Sequence, residues 1–498
     1  MNVNPITRLD YPDPDVIRVE DTYYMVSTTM HFMPGCEILQ SFDLVHWEHA
    51  TYVYETLDHT DAQQLKSGQN IYGQGMWAAS LRYHEGRFYI CFVANDTRKT
   101  YLYTSEKIDG PWKKQLIEGF YHDGSLLFDE DGRNYIVYGN DEIWITELNE
   151  DLTAPKKDGL HRLLVSDHKN PELGYEGSHI QKINGYYYIF LIHSLRDRWM
   201  RTEACFYSDS LEGEFTGGDV LCDDRGYCGQ GVAQGGIVDT PDGKWYAMLF
   251  QDSGAVGRIP ILLPVTWKDH FPFFGQNGHV PEEIEVHSTR PEYIYQPLVG
   301  SDDFCNGLLP RWQFNHDPDP RYYHLDALQG TYTITTREVC TELTQAVNTL
   351  TQRMSYPSCA AEVTVDASAL KEGDVAGLCA LQGCYAAVGI TKHHGKYEVL
   401  MLDKKEDGIL DMTEGTVVES HQMDFRLEAD FCNMKDEARC YYRVNKGDWL
   451  PIGTVHKLYF KLDHFTGCRF GLFCYAAEET GGSACFRDFK YYDVDEIS

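Results

Sequence analysis

Five stretches between residues 13 and 246 repeat one pattern of apolar and polar positions. Each begins with a marker residue, continues through mixed positions and reaches a turn position nine residues after the marker, where aromatic and aliphatic residues follow. This pattern is typical of a β-hairpin, in which a short strand meets a turn rich in Asp, Gly or Asn and a second strand returns. The marker and turn positions are Asp13 and Thr22, Trp77 and Gly86, Asp123 and Gly132, Glu176 and Gly185, and Gln234 and Gly243.

The spacing of the repeats predicts how these hairpins are arranged. The chain between one hairpin and the next is long enough for two further strands, so each unit would form a four-stranded sheet. Four-stranded sheets repeated radially make a β-propeller, and five of them make a five-bladed one. A solenoid of stacked β units is the competing arrangement, but the uneven spacing of the units disfavours it.

The markers themselves indicate chemistry. In a propeller, the strand that opens each repeat lines the central channel, so residues in matched register form a ring. Three of the five markers are carboxylic acids, and a buried carboxylate without a partner is costly or takes up a proton. Short polar residues also suit strand starts and turns, which explains one such residue better than three in register. Glycoside hydrolysis uses such a set, because one carboxyl protonates the leaving oxygen while another activates water or attacks the sugar.

Five segments follow one another between about residues 4 and 295: NPITRLDYPDPDVIRVEDTYYMV, WAASLRYHEGRFYICF, HDGSLLFDEDGRNYIVYG, YEGSHIQKINGYYYIF and GAVGRIPILLP. Together they resemble glycoside hydrolase family 43, which contains β-xylosidases, α-L-arabinofuranosidases and arabinanases on a five-bladed propeller. Members of this family invert the configuration of the anomeric carbon. The resemblance implies an inverting exo-glycosidase that releases terminal β-D-xylose, α-L-arabinofuranose or both from short xylo- or arabinoxylo-oligosaccharides. An enzyme with α-L-arabinofuranosidase as its main activity and a non-catalytic carbohydrate-binding propeller are the alternatives.

The resemblance implies a role for each matched residue. Asp13 of YPDP matches the general base, and Glu176 of YEGS matches the general acid. Asp123 of HDGS matches the residue that tunes the acid and holds the sugar. Arg258 of VGR matches an arginine that reaches the substrate, and Trp77 matches the tryptophan of a WAP-type segment. The base and the acid are also two of the carboxylates that the repeat register brings together.

Gln234 heads the fifth repeat, where many family members carry a histidine that in some of them coordinates a central cation. Glutamine can bind a water or a cation through its amide oxygen, but it does not titrate. We therefore expect no required cofactor and assign no metal ligand, with a structural or channel-bound Ca²⁺ as the alternative. Phe32, in a loop after the first hairpin, and Phe465, in an FTG segment, are candidate walls of the sugar pocket. Simple packing is the alternative for both.

The length of 498 residues exceeds one comfortable core and predicts two domains. The marker repeat ends near residue 300, and the segments beyond it alternate with period 2 between frequent turns, which predicts a β-sandwich. This region is similar to the concanavalin-like sandwich that follows the propeller in many β-xylosidases of the family. We predict an all-β protein with a five-bladed β-propeller catalytic domain over residues 1–297 and a jelly-roll, concanavalin-like β-sandwich accessory domain over residues 298–498.

Charge and cysteine content narrow the partners and the compartment. A formal net charge of −33 without a basic patch argues against nucleic acid and anionic membrane surfaces as partners. The opening MNVNPITRLDYPDP lacks the features of a signal peptide, and no apolar run is long enough to span a membrane. The 15 cysteines are scattered singly, which fits a reducing compartment. We expect a cytoplasmic protein that binds a small oligosaccharide, as a monomer or as a homo-oligomer.

Overall fold

The computed structural model describes residues 2–493 and is built almost entirely from β-strands. Within these residues the helices are four 3₁₀ turns of three residues each, at Lys66–Gly68, Gly254–Val256, Leu343–Gln345 and Cys432–Met434. No helix between residues 2 and 493 has the length and apolar content needed to cross a membrane.

The first domain is a five-bladed β-propeller in which each blade is a four-stranded antiparallel sheet. After β1 (Asn2–Val3), blade 1 contains β2 (Asp15–Val19), β3 (Thr22–Val26), the short β4 (Phe32–Met33), which pairs outside the blade, β5 (Gly35–Ser41) and β6 (Glu48–Tyr54). Blade 2 contains β7 (Met76–His84), β8 (Arg87–Ala94), β9 (Lys99–Ser105) and β10 (Lys113–Ile117). Blade 3 contains β11 (Ser125–Phe128), β12 (Asn134–Asn140), β13 (Glu142–Leu148) and β14 (His161–Ser166).

Blades 4 and 5 complete the ring. Blade 4 contains β15 (Glu176–Ile183), β16 (Tyr186–Ser194), β17 (Arg201–Ser208) and β18 (Thr216–Leu221). Blade 5 contains β19 (Val232–Asp239), β20 (Trp245–Asp252), β21 (Arg258–Lys268) and β22 (Phe271–Phe274), and β23 (Glu283–Ile284) follows it. The first strands of the blades contact one another around the centre, and β19 of blade 5 contacts β2 of blade 1. The five sequence repeats are therefore the inner hairpins of the five blades.

One buried asparagine helps to join the two ends of the propeller. The Asn4 side-chain amide donates hydrogen bonds to the carbonyls of Leu262 (2.8 Å) and Pro281 (2.9 Å), and its oxygen accepts one from the Leu262 amide (3.1 Å). Strand β1 also pairs with β23. Because every blade comes from one continuous stretch of chain, these contacts and the β19–β2 contact hold blade 1 against blade 5.

The second domain is a β-sandwich of the concanavalin-like type. The boundary predicted at residues 297 and 298 lies in the segment between β23 and β24. One sheet has the order β32-β31-β30-β29-β37-β27-β24-β4, with β33 beside β31, and the other has the order β25-β26-β38-β28-β34-β35-β36. These strands are β24 (Gln313–Asn315), β25 (Tyr323–Asp326), β26 (Thr331–Thr335), β27 (Leu350–Arg353), β28 (Ser358–Asp366), β29 (Asp374–Leu381), β30 (Tyr385–His393), β31 (Lys396–Lys404), β32 (Leu410–Met412), β33 (Thr416–Val418), β34 (Gln422–Asp430), β35 (Glu437–Val444), β36 (Leu450–Lys457), β37 (Arg469–Ala476) and β38 (Ser483–Asp493).

The two domains share a sheet and a core. Strand β4 of the propeller extends the sandwich sheet, where Met33 pairs with Phe314. A buried ion pair also crosses the junction, between Arg353 of the sandwich and Glu37 of blade 1 at 2.9 Å. Because backbone pairing, apolar packing and a buried ion pair all cross it, the junction fixes the sandwich over the propeller. The propeller residues that pack in the main sandwich core are Ala255, Val256 and Ile259.

Candidate active site

A cavity of about 570 Å³ opens where the inner strands of the blades begin. All five markers line it, and residues of the sandwich line it as well. The marker residues are Asp13, Trp77, Asp123, Glu176 and Gln234. The remaining lining residues are Ala78, His122, Asn140, Leu173, Trp199, Arg201, Gln230, Asp252, Gly254 and Arg258 of the propeller and Met434, Phe460, Lys461, Leu462 and Phe465 of the sandwich.

An irregular backbone at the marker positions directs these side chains into the cavity. Asp13, Asp123 and Gln234 have φ values of 52°, 49° and 60°, in the left-handed region that non-glycine residues rarely adopt. In blades 2, 4 and 5 the register of the inner strand shifts just after or at the marker. Bulges and left-handed residues cluster next to active sites, where they redirect a side chain at a cost in local stability.

The Asp13 carboxylate is held by one residue from blade 1 and one from blade 5. Its Oδ2 accepts a hydrogen bond from Thr28 Oγ1 at 2.6 Å, and its Oδ1 accepts one from Arg258 Nη1 at 3.0 Å. Arg258 is itself fixed, because its backbone N–H donates to Asp10 Oδ1 at 2.7 Å. These contacts hold both oxygens of the Asp13 carboxylate in place at the cavity wall, which suits a group that takes a proton from water.

Asp123 and Glu176 lie on neighbouring blades with His122 between them. Asp123 Oδ2 accepts a hydrogen bond from the Gly177 amide at 2.9 Å, and Glu176 Oε2 accepts one from Asn140 Nδ2 at 2.8 Å. His122 Nε2 lies 3.5 Å from Asp123 Oδ2 and 3.6 Å from Glu176 Oε2. One imidazole therefore contacts both carboxyls.

Burial and charge shift the proton affinities of this group. Burial lowers the pKa of the His122 imidazole, but the carboxylates of Asp123, Glu176 and Asp13 outweigh burial and raise it to about 9. Burial raises the pKa of Asp123 to about 6, with the Glu176 and Asp13 charges acting in the same direction and His122 opposing them. Near neutral pH the neighbouring carboxylates therefore favour the cationic form of His122, and Asp123 takes up a proton close to the physiological range.

Two aromatic residues form part of the cavity wall. The rings of Trp77 and Phe465 lie 5.6 Å apart, and the Arg258 guanidinium lies 4.3 Å from the Phe465 ring centre. The indole N–H of Trp77 is buried and has no hydrogen-bond partner among residues 2–493. The aromatic faces on this wall match the apolar face of a sugar. The sandwich supplies Phe465 to this wall.

Phe32 does not line the cavity. It belongs to β4, is 1% exposed and stacks against the Arg469 guanidinium at 3.4 Å. The sequence placed it in a loop, but its backbone pairs with Asn315 and extends the sandwich sheet. The structure therefore assigns Phe32 to the domain junction, the packing alternative, rather than to the sugar pocket.

Gln234 packs between the fourth and fifth blades. Its backbone N–H donates to Glu203 Oε2 at 2.7 Å, and burial raises the pKa of Glu203 well above its usual range. A Cβ at Gly177 would lie 2.7 Å from the Gln234 amide carbon, so a side chain at residue 177 would displace this glutamine. Burial thus disfavours the charge of the neighbouring carboxyl, which is already used as an acceptor, and this is a poor setting for a divalent cation.

The channel axis deeper in the propeller already holds a positive charge. The Arg82 guanidinium lies 2.7 Å from Asp15 Oδ2 and donates to Ser125 Oγ (2.7 Å) and to main-chain carbonyls of three strands. Asp15 also pairs with His179 at 3.0 Å. The Leu81 amide also donates to Asp15 Oδ2 at 2.7 Å. Since three partners already contact the Asp15 carboxylate, the residues on the axis do not fit a divalent cation.

Within residues 2–493, one group of side chains has potential metal-binding atoms that all lie within 4.8 Å of one another. This group is His122, Asp123 and Glu176. The carboxylates raise the pKa of this imidazole, so a metal would have to displace the proton that they favour. The arrangement is that of an ion-pair network rather than of a ligand set.

Several cavity residues gave little sequence signal. His122 directly precedes a marker, and that adjacency is the one signal that could have identified it. Arg201 and Asp252 form an ion pair at 2.8 Å, and the 44% exposed Trp199 lies beside them. These residues lie at strand ends of different blades, so only the assembled ring brings them together.

Comparisons with known proteins agree with this geometry. Residues 3–272 match the model of glycosyl hydrolases family 43, and residues 301–492 match the beta xylosidase C-terminal concanavalin A-like domain. The chain is 26% identical to a beta-xylosidase of Formosa agariphila over 554 residues, covering 99% of this chain and 89% of that protein. It is also 26% identical to a non-reducing end alpha-L-arabinofuranosidase of Bacteroides ovatus over 352 residues, covering 66% of this chain and 63% of that one.

Solved structures show the same two-domain arrangement. A bifunctional GH43-CE protein of Bacteroides eggerthii is 42% identical, with a TM-score of 0.93 over 100% of this chain. This chain spans 64% of the length of that protein. A GH43 glycoside hydrolase engineered to display both endo-xylanase and exo-arabinofuranosidase activity has a TM-score of 0.88 at 26% identity, and 99% of each chain is covered. With the family match extending over more than half of the sequence, the chain belongs to glycosyl hydrolases family 43 and is a glycoside hydrolase.

Proposed function

We propose that this glycoside hydrolase is an inverting exo-enzyme that removes terminal β-D-xylose, α-L-arabinofuranose or both from short xylo- or arabinoxylo-oligosaccharides. The observation that carries the proposal is the convergence of Asp13, Asp123 and Glu176 on one cavity, in a chain whose relatives include xylosidases and an arabinofuranosidase. A protein that only binds sugar has no need of three converging carboxyls.

In the proposed reaction, the carboxylates act from two sides of the sugar. Asp13 takes a proton from a water molecule as the water oxygen bonds to the anomeric carbon, and Glu176 gives its proton to the departing glycosidic oxygen. The C–O bond to the leaving sugar breaks as the new C–O bond forms on the opposite face, so the configuration inverts. Asp123, beside Glu176, favours the protonated form of the acid and can accept hydrogen bonds from sugar hydroxyls.

The walls of the cavity support removal of a terminal sugar rather than cleavage within a chain. The sandwich adds Phe460, Leu462 and Phe465 on one side, and the propeller adds Leu173 and Trp199. A pocket bounded by two domains suits the end of an oligosaccharide, whereas an endo-acting enzyme requires an open cleft.

We propose further that the reaction needs no cofactor and that the enzyme acts in the cytoplasm on imported oligosaccharides. The cationic His122 beside the carboxyls and the Arg82–Asp15 pair on the axis support the first point. The 15 free cysteines, nine of them buried, support a reducing compartment. Oligomeric state is left to measurement by light scattering.

Initial rates on an aryl β-D-xyloside, an aryl α-L-arabinofuranoside and xylo-oligosaccharides test the function directly. We expect turnover of at least one pentoside and release of a single pentose from the chain end. Proton NMR of the nascent sugar should show inversion. Binding without turnover would favour the carbohydrate-binding propeller, and retention of configuration would contradict the proposed geometry. A higher rate on the arabinofuranoside would favour the alternative main activity.

A further inference from the structure

Two of the four carboxyls that line the cavity face the same histidine, whereas each of the other two pairs with its own arginine. Asp123 and Glu176 both face the imidazole of His122, at 3.5 and 3.6 Å. The two other acids of the cavity each lie within 3.0 Å of a cation of their own. Those two pairs are Asp13 with Arg258 at 3.0 Å and Asp252 with Arg201 at 2.8 Å.

We propose that the His122 imidazolium is a positioning residue that fixes the number of protons on the Asp123–Glu176 pair, keeping Asp123 ionised while Glu176 holds the proton for the leaving group. The inference rests on the roles proposed above for these carboxyls. It adds a residue that the sequence pattern did not identify and explains how two adjacent carboxyls can take different protonation states.

The surroundings of His122 hold the ring in place. Its carbonyl accepts a hydrogen bond from the Gly139 amide at 3.0 Å, and its ring packs against Trp77 at 5.9 Å between ring centres. The titratable groups that act on it are Asp123 of its own segment, Glu176 of β15 and Asp13 from the blade 1 side. All three are acids, so each favours the charged form of the imidazole.

Charge balance then accounts for the proton. One imidazolium, at 3.5 Å from Asp123 Oδ2 and 3.6 Å from Glu176 Oε2, balances the charge of one of these two carboxyls. A second carboxylate beside this neutral pair would add an unbalanced negative charge in a largely buried place. Protonation of Glu176 removes that charge, which is the state that a general acid needs.

The proposal predicts the direction in which the alkaline limb of kcat/KM moves, because removing the cation and removing the anion have opposite effects on the acid's proton. In His122→Gln the missing positive charge makes loss of the acid's proton harder, so the alkaline limb of kcat/KM should move up by about one pH unit. In Asp123→Asn the missing negative charge makes that loss easier, so the limb should move down. The double variant should lie between the two single variants, and His122→Lys should return the limb toward the wild-type position.

A matched control separates charge from structure. His193 is also a buried histidine paired with an aspartate, with Nε2 2.8 Å from Asp219, but it does not line the cavity. His193→Gln should leave the alkaline limb where it is in the wild type. Thermal unfolding of each variant shows whether the fold is kept, and pH profiles are compared only among variants that stay folded at the assay temperature.

A readout that needs no activity makes the inference independent of the proposed function. In protein labelled with ¹⁵N-histidine, the imidazole signal that disappears in His122→Gln should stay in the protonated form up to about pH 8. A neutral imidazole at pH 7, or an alkaline limb that stays in place or moves down in His122→Gln, would overturn the inference. Absence of pentosidase activity in the wild type would instead overturn the proposed function, while the NMR titration would still decide the charge of His122.

Discussion

At the scale of single residues, the partner of each carboxyl separates the roles of the three acids. Asp13 accepts hydrogen bonds from Thr28 and Arg258, which are fixed donors. Asp123 and Glu176 instead share a titratable histidine. A permanently charged partner suits a group that must stay ionised, and a titratable partner suits a pair that must exchange a proton near neutral pH.

A substitution at Asp13 tests the role of the base. Asp13→Asn keeps the shape of the side chain but cannot accept a proton from water, so kcat should fall by about 10²–10⁴-fold even on aryl glycosides with good leaving groups. Asp21→Asn, in the turn of the first hairpin with a side chain that is 45% exposed, is the control and should keep wild-type turnover. Retention of more than about a tenth of the wild-type kcat in Asp13→Asn would remove Asp13 from this role.

The leaving group distinguishes the acid from the base. Glu176→Ala should strongly reduce cleavage of xylo-oligosaccharides, whose leaving oxygen needs a proton, and should spare aryl glycosides whose phenolate leaves without one. Glu172→Ala, at an exposed position four residues earlier, should affect neither substrate. If Glu176→Ala reduced both rates equally, another group would have to be the proton donor.

At the scale of elements, the segment before β37 connects the sandwich to the catalytic cavity. The Gly467 amide donates to Asp10 Oδ2 at 2.8 Å, and the Cys468 amide donates to the Ala255 carbonyl at 2.8 Å. Asp10 also accepts from the Arg258 amide. One buried carboxylate therefore holds both residues 465–467, which form the rim of the cavity on the sandwich side, and the arginine that contacts Asp13. The position of Phe465 therefore depends on the propeller as well as on the sandwich.

A glycine in this segment gives a test of that dependence. A Cβ at Gly467 would lie 2.2 Å from the Val256 carbonyl oxygen and 2.7 Å from Asp10 Cβ, so Gly467→Ala must displace the rim. We expect kcat/KM to fall by about 10- to 100-fold, since small misplacements of a positioning element are costly. Gly218→Ala is the control, because a Cβ there would meet nothing within 4 Å. Unchanged kinetics in a folded Gly467→Ala would show that the rim does not position the substrate.

At the scale of the whole molecule, the domain junction buries three histidines together. His31 lies 4.8 Å from His316 and 5.9 Å from His464 between ring centres, and the Tyr72 ring stacks on His464 at 3.8 Å. Burial, together with the neighbouring histidines and Arg469, lowers the pKa of His31 well below its usual range. Burial and His464 lower the pKa of His316 in the same way. Burial lowers the pKa of His464 to about 4, with Lys404 acting in the same direction and Asp463 opposing it.

This cluster predicts how stability depends on pH. Above about pH 6.5 these histidines are neutral in both the folded and the unfolded chain, so they carry no titration cost. As the pH falls from 6.5 toward 4, the unfolded chain binds protons that the folded protein does not, so the free energy of unfolding should fall by up to about 1.4 kcal/mol per pH unit for each histidine. His31→Leu should make this decrease shallower.

Urea unfolding at pH 7.5, 6.0 and 5.0 measures the effect. Both ring nitrogens of His31 lack hydrogen-bond partners among residues 2–493, so His31→Leu removes a titrating group without removing a hydrogen bond. His287→Leu, whose side chain is 67% exposed, is the control and should keep the wild-type slope. Equal slopes in wild type and His31→Leu between pH 6.5 and 5 would contradict the assignment of acid sensitivity to this cluster.

The features of this protein that depend on local pattern could be predicted from the amino-acid sequence alone. An inner hairpin is formed by about a dozen consecutive residues, so the repeats predicted the five blades. The common register of the repeats predicted the ring of marker residues in the cavity. Alternation with period 2 predicted the sandwich for the same reason, because successive residues of a strand point to opposite faces of the sheet.

Contacts between side chains that are distant in the sequence could not be predicted in this way, because they depend on the three-dimensional fold. The pKa of His122 is raised by Asp123 beside it and by Glu176 and Asp13 on other blades. The packing of Phe32 depends on Arg469, more than 400 residues away in the chain. Such neighbours cannot be predicted from the order of residues, because they arise from the closure of the ring and from the docking of the sandwich. Electrostatic and packing energies depend on distance in space, so the pattern predicted the carboxylates while the fold set their partners.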